Sequence, residues 1–243
     1  MTECDRRRTA AASARFDSAS TGIDAFAAAA FQTACLAASF ASLATLDSDP
    51  EPLSASTAAG LSLPLVFAAA LLCNRARASK LPLRQLLGIK KPLREIFFGV
   101  SAGILMMPVA MLLTFLTSTL AIRMGFEQPP AQWLTLSLMH PETTLAAKTI
   151  AAIGAVVAAP LTEELLTRWA LAGWLTQRMS TAVAALITAA FFALLHLSII
   201  SSLGLFALGL LFAALYFRSG SLLTPIAAHA AFNLANLVML LLD

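Results

Sequence analysis

Residues 145–173 read LAAKTIAAIGAVVAAPLTEELLTRWALAG, an apolar run long enough to cross a bilayer as a helix. In its middle stand two adjacent carboxylates, Glu163 and Glu164, with Arg168 four residues beyond. A carboxylate or guanidinium at the bilayer centre costs about 2.5 to 3.5 kcal/mol on insertion scales, so an ionisable cluster there marks a functional site. The rest of the chain has to be read around it.

Working outward, the composition sets the class. The chain is 59% hydrophobic and 12% charged, with a mean hydropathy of +0.81. A soluble domain has about 45 to 50% apolar and about 25% charged residues, so this is an integral membrane protein. About seven segments of roughly 20 apolar residues follow one another, near 22–46, 53–73, 97–122, 145–173, 180–201, 203–217 and 224–242. The sixth is short and its boundary with the fifth is soft, so about six to eight crossings fit. A spanning barrel needs segments of about ten residues alternating apolar and polar, whereas these runs are continuous and rich in Ala and Leu. The expected fold is all-α, a polytopic transmembrane helical bundle. No repeat or linker divides it: residues 1–20 read as a basic, flexible tail and 21–243 as one transmembrane domain.

Charge orients the bundle. Arg75, Arg77, Lys80, Arg84, Lys90, Lys91 and Arg94 fill the expected loop at 74–96, while Asp47, Asp49 and Glu51 occupy the loop before it. The positive-inside rule puts the basic loop in the cytoplasm, and with it the N-terminal tail carrying Arg6, Arg7, Arg8 and Arg15. Arg178 and Arg218 fall on the same side, and Asp243 outside if the crossings number seven. The basic loop reads as a topology signal, or as a contact for anionic lipid worth about 1 kcal/mol per charge. Nothing points to nucleic acid. A signal peptide fits the N-terminus poorly, because the apolar run after the basic tail far exceeds about 7 to 15 residues. Cys4, Cys35 and Cys73 show no disulfide or metal spacing. His140 lies in an expected outside loop and receives no role.

Helical phase divides the acidic pair. Glu164 and Arg168 are four apart with the acid first, the favoured order for an ion pair on one face. Glu163 points about 100° away and must face something else. A salt bridge at the membrane interface, bordered by Trp169, Trp174 and Arg178, is the structural alternative. His196 lies in the fifth segment, with Phe192 one turn earlier on the same face, where its ring can orient the imidazole; a hydrogen-bonded core histidine is the plainer reading. The last segment opens with Thr224-Pro225, a cap followed by proline at the first helical position. His229 and Asn233 then share a face, and both can donate to a developing oxyanion. The alternative is interhelical hydrogen bonding, to which Asn236 also lends itself.

Taken in order, Glu-Glu-x-x-x-Arg, Phe-x-x-x-His and His-x-x-x-Asn stand on three separate apolar helices, preceded by Ala159-Pro160. This resembles the CPBP family of intramembrane glutamic endopeptidases, related to the CAAX prenyl protease Rce1 and to bacteriocin-processing and immunity (Abi) proteins. The resemblance implies an Rce1-like peptidase core at about residues 145–243, with Glu163 as general base on a water, His196 as its partner on that water, and His229 and Asn233 as oxyanion donors. Glu164, Arg168 and Phe192 would hold the site together. It also implies hydrolysis without a cofactor or metal. Two His and a Glu could ligate zinc, but the chain lacks His-Glu-x-x-His and Asn233 is a poor zinc ligand.

The sequence departs from the family pattern on either side of the arginine. Gly commonly follows it and an aromatic precedes it, whereas Thr167 and Trp169 flank Arg168 here. Trp169 is bulky where close helix approach is expected. Other function classes are a non-catalytic immunity or scaffold protein on the same fold, and a transporter using the charged cluster, which would show repeated halves with broken helices; no such repeat is seen. Ala-rich composition and short loops suit a bacterial inner membrane protein with a cytoplasmic N-terminus. Its expected partners are membrane lipid and a protein or peptide substrate in or at the membrane.

Overall fold

The computed structural model describes residues 63–125, 139–196 and 198–242. The expected tail, the first segment and the start of the second lie outside the described residues. Every element among the described residues is helical: α1 Leu63–Ser79, the short α2 Leu83–Leu86, α3 Pro92–Arg123, α4 Leu145–Leu175, α5 Thr181–Leu195, α6 Ser202–Ser219 and α7 Leu223–Leu242. Helices α3, α4, α6 and α7 are long and apolar enough to span a bilayer; α5 is apolar but has only 15 residues. The chain is an integral membrane protein with a helical bundle fold.

Local chemistry explains most of the boundaries. Thr144 and Ser180 cap α4 and α5, their hydroxyls accepting from the backbone N–H groups of Ala147 (3.2 Å) and Val183 (3.4 Å). Glu95 reaches back to accept from the N–H groups of Lys90 (3.0 Å) and Lys91 (2.9 Å), starting α3 at Pro92 rather than near residue 97. The expected basic loop at 74–96 is therefore mostly structured: Arg75 and Arg77 belong to α1, and Arg94 to the first turn of α3. Gly220, at φ 67°, closes α6 in the left-handed region. Thr224 is not the cap of α7. The helix begins at Leu223, whose N–H donates to the Ser221 hydroxyl (3.2 Å), so Thr224 and Pro225 lie in the first turn.

The fifth segment ends sooner than hydropathy suggests. Helix α5 stops at Leu195, His196 is its C-cap, and α6 starts at Ser202. Serines make the break: Ser201 N–H donates to the Ser198 hydroxyl (3.2 Å) and the Ser202 hydroxyl to the Ile199 carbonyl (2.7 Å). Such short side chains offer the backbone partners outside the helical ladder, which a hydropathy window does not register.

Packing is set by glycines. Gly99 and Gly103 form a Gly-x-x-x-Gly pair on α3, and a β-carbon on either would overlap α7 backbone, at the Thr224 carbonyl and the Ala228 carbonyl respectively. Small residues at this spacing let two membrane helices approach closely. Gly209 does the same between α6 and α5, where a β-carbon would lie 2.8 Å from Ala189 Cα. Helix α5 packs on α4 along Leu165–Ala172, and α7 packs on α3 and on the earlier turns of α4. One apolar cluster joins Leu86, Leu165, Leu166, Trp169 and Leu222; a second joins Ala110, Phe192, Leu208, Phe212 and Ala228. The ionisable groups of α4 lie where these meet.

Helix α4 itself is irregular. Gly154–Ala158 and Leu165–Ala172 are π-helical and flank the α-helical Ala159–Glu164. Pro160 lies inside this helix, where a proline ring crowds the carbonyl four residues earlier, here Val156. The wider turn at 154–158 takes up that crowding, and π-helical turns recur at functional sites.

Candidate active site

The two glutamates face different partners. Glu164 is fully buried, and its Oε1 accepts from Arg168 Nη1 at 3.2 Å and from His229 Nδ1 at 3.1 Å. An ionised carboxylate can only accept, so Nδ1 is the protonated nitrogen of His229 in this pairing. Arg168, also fully buried, donates through Nη2 to the Gly209 carbonyl at 3.0 Å and through Nη1 to the Thr167 hydroxyl. The absent side chain at Gly209 thus permits the approach of α5, while its carbonyl takes one guanidinium N–H.

Glu163 remains outside that network. Its Oε2 lies 4.0 Å from His196 Nε2; the two side chains are partly exposed, at 20% and 27%, while Oε2 itself is buried. The separation is too long for a direct hydrogen bond and suits one bridging water. The His196 Nδ1 lies 2.8 Å from the Phe192 carbonyl, which can only accept, so the proton sits on Nδ1 and Nε2 is left as the basic nitrogen. Ending α5 at His196 is what turns the imidazole back on that carbonyl.

Phe192 is buried among the charged groups. Its ring centroid lies 4.7 Å from that of His196, 5.6 Å from that of His229 and 4.9 Å from Arg168 Cζ. Phe212 completes the apolar wall, stacked on His229 at 4.9 Å and 5.5 Å from Arg168 Cζ. Aromatic faces beside a desolvated guanidinium attract it electrostatically.

Asn233 makes an interhelical hydrogen bond, its Nδ2 donating to the Ala155 carbonyl at 2.8 Å. The N–H of Ala159 is already bonded to Gly154, and the next residue able to serve Ala155 in the π register is Pro160, which has no N–H. Asn233 fills that deficit, and its second amide hydrogen remains to be directed elsewhere. Asn236 bonds within α7 to the Phe232 carbonyl at 3.0 Å.

Trp169 and Thr167 fall on opposite sides of the arrangement. The Trp169 indole N–H donates to the Leu86 carbonyl at 3.4 Å and its ring packs in the cluster against α2, away from the acidic pair. Its bulk therefore fills the seam between α4 and α2. Among the described residues, no three His, Cys, Asp or Glu side chains gather as a metal-ligand group. Gly99, Gly103, Gly209 and Phe212 are not marked by the polar motifs; the Gly-x-x-x-Gly spacing is a legible signal, whereas nothing local in the sequence distinguishes Phe212.

Similarity to known proteins covers the same region. Residues 145–235 match the family model described as type II CAAX prenyl endopeptidase Rce1-like, and the glutamates, Arg168, Phe192, both histidines and Asn233 all lie within that span. No curated protein and no solved structure matches the chain.

Proposed function

Given an Rce1-like domain at residues 145–235 of an integral membrane protein, we propose that this chain is a glutamate-dependent intramembrane endopeptidase acting on a membrane-associated protein or peptide. The observation that carries the reading is the division of the acidic pair: Glu164 is committed to Arg168 and His229, while Glu163 faces His196 across 4.0 Å. A water held between Glu163 Oε2 and His196 Nε2 would give its proton to Glu163. Its oxygen would then attack the peptide carbonyl carbon, and the C–N bond would break as Glu163 returns the proton to the leaving amine. General-base assistance of this kind contributes about 10²- to 10⁴-fold.

The carbonyl oxygen becomes an anion in the tetrahedral intermediate and needs donors. His229 has Nδ1 committed to Glu164, so its Nε2 donates only when the ring is doubly protonated. Asn233 offers its second amide hydrogen. Each donor to an oxyanion is worth about 2.7 to 4 kcal/mol.

The same reading orients the protein. The ends carrying Arg75, Arg77, Lys80, Arg84, Lys90, Lys91, Arg94, Arg178 and Arg218 gather on one side of the bundle, joined by the Leu222 N–H to Leu87 carbonyl bond (3.0 Å) and by Ser221 donating to Glu95 (2.7 Å). Positive-inside places that side in the cytoplasm, in keeping with a bacterial inner membrane and a cytoplasmic N-terminus. Comparison of membrane peptides from cells carrying the wild type and Glu163→Gln tests the activity. The expected result is a set of peptides whose processing stops in the variant; identical profiles at equal expression would remove the reading and favour a non-catalytic immunity or scaffold protein.

A further inference from the structure

The arginine of the site has two carboxylates to choose from, and something must select between them. Arg168 lies in the π-helical stretch Leu165–Ala172. Where the ladder runs from i to i+5, side chains four and five residues apart both come within reach of one another, so Glu163 and Glu164 are alternative partners for the same guanidinium. A guanidinium on Glu163 would neutralise that carboxylate and hold it away from His196.

Thr167 stands at the point of selection. It is fully buried, its hydroxyl donates to the Glu163 carbonyl, and the same oxygen accepts from Arg168 Nη1, the nitrogen that also donates to Glu164. Because the hydroxyl hydrogen is committed to the backbone, the lone pairs are turned toward the guanidinium. The Gly209 carbonyl then takes Nη2, so the fork is held on the Glu164 side at both nitrogens. Without the hydroxyl, Nη1 would lose an acceptor in an apolar interior, where an unmade hydrogen bond is costly.

We propose that Thr167 is a positioning residue that commits Arg168 to Glu164 and thereby leaves Glu163 free to act as the base. The inference rests on the peptidase reading above and adds to it a residue at an unspecified position of the first motif. It gives Thr167 a role of its own where the family pattern has an aromatic: in this chain the hydroxyl oxygen ties Arg168 Nη1 down beside Glu164.

The test uses the full-length protein in detergent or liposomes and a synthetic quenched peptide spanning a bond that the wild type cleaves. Thr167→Val keeps the shape and removes the oxygen. It should lower kcat about 10- to 100-fold with KM unchanged, because the base is compromised and peptide binding is not. Thr167→Ser restores the acceptor and should recover most of that loss. Wild-type kcat in folded Thr167→Val, or an equal loss in Thr167→Ser, would overturn the inference. Should Thr167→Val not accumulate as folded protein, Thr167→Ser and Thr167→Ala, which differ by one oxygen atom, read the same prediction: Ser active and Ala slowed supports it, and equal kcat overturns it. A Glu163→Gln protein that still cleaves removes the underlying reading; an inactive Glu163→Gln alongside a fully active Thr167→Val removes this inference alone.

Discussion

Asn233 does for the carbonyl of Ala155 what Pro160 cannot. The proline has no N–H to return to the preceding π turn, and the asparagine amide crosses from α7 to supply the missing donor at 2.8 Å. A backbone deficit on one helix thus fixes both the register of another helix and the orientation of a side chain in the site.

This relationship predicts coupling between the two residues. Asn233→Ala should destabilise the protein by about 1 to 2 kcal/mol, since it leaves a carbonyl unsatisfied in an apolar interior. In a Pro160→Ala background, residue 160 regains an N–H, and the same exchange should cost less. Thermal unfolding of the four proteins in detergent measures the cycle; equal losses in both backgrounds would show that Asn233 does not compensate for the proline.

The acidic pair should respond unequally to neutralisation. Glu163→Gln is expected to abolish cleavage while changing the unfolding temperature little, because the buried bonds to Arg168 and His229 are made by Glu164 and not by Glu163. Glu164→Gln strips the buried Arg168 and His229 of their carboxylate, and breaking such a pair costs about 3 to 5 kcal/mol. It should therefore reduce folded yield and activity together. Similar unfolding temperatures for the two variants would mean that Glu164 is not the structural member.

Glycine substitutions separate close approach from mere helicity. A β-carbon on Gly103 would overlap the Ala228 carbonyl, one residue from His229, so Gly103→Ala should push α7 off α3 and cost about 1 to 3 kcal/mol. At Gly154 nothing lies within 4 Å of such a β-carbon, and Gly154→Ala should be neutral or stabilising by about 0.5 to 1 kcal/mol. Unfolding curves that rank these two in the reverse order would show that the α3–α7 seam does not hold the fold.

Orientation can be read by labelling. In a background lacking native cysteines, Met139→Cys, on the side opposite the basic rim, should react with a membrane-impermeant maleimide in intact cells. Lys90→Cys should react only after the membrane is opened. The opposite pattern would invert the proposed topology.

The apolar helices are legible in the sequence because burial in lipid is written in composition, and their order follows from runs of about 20 residues. So is the separation of Glu163 from Glu164, since helical phase is a local property. The end of α5 at His196 is less legible: hydropathy sees Leu195 to Ile200 as one apolar stretch, whereas serine side chains bonded to the loop backbone end the helix there. The cap of α7 departs from expectation for a similar reason, because Ser221, outside the apolar run, accepts the bond expected of Thr224.

By itself, the sequence determined that this is a membrane helical bundle and which ionisable side chains interrupt its apolar helices; both follow from residue type and local period. Only the tertiary structure decided their pairing. His229 with Glu164, His196 beside Glu163, Asn233 on Ala155 and Arg168 on Gly209 are contacts between helices far apart in the chain. They depend on how closely those helices approach, which is set by missing β-carbons at Gly99, Gly103 and Gly209 and by a widened turn around Pro160, none of which a helical period encodes.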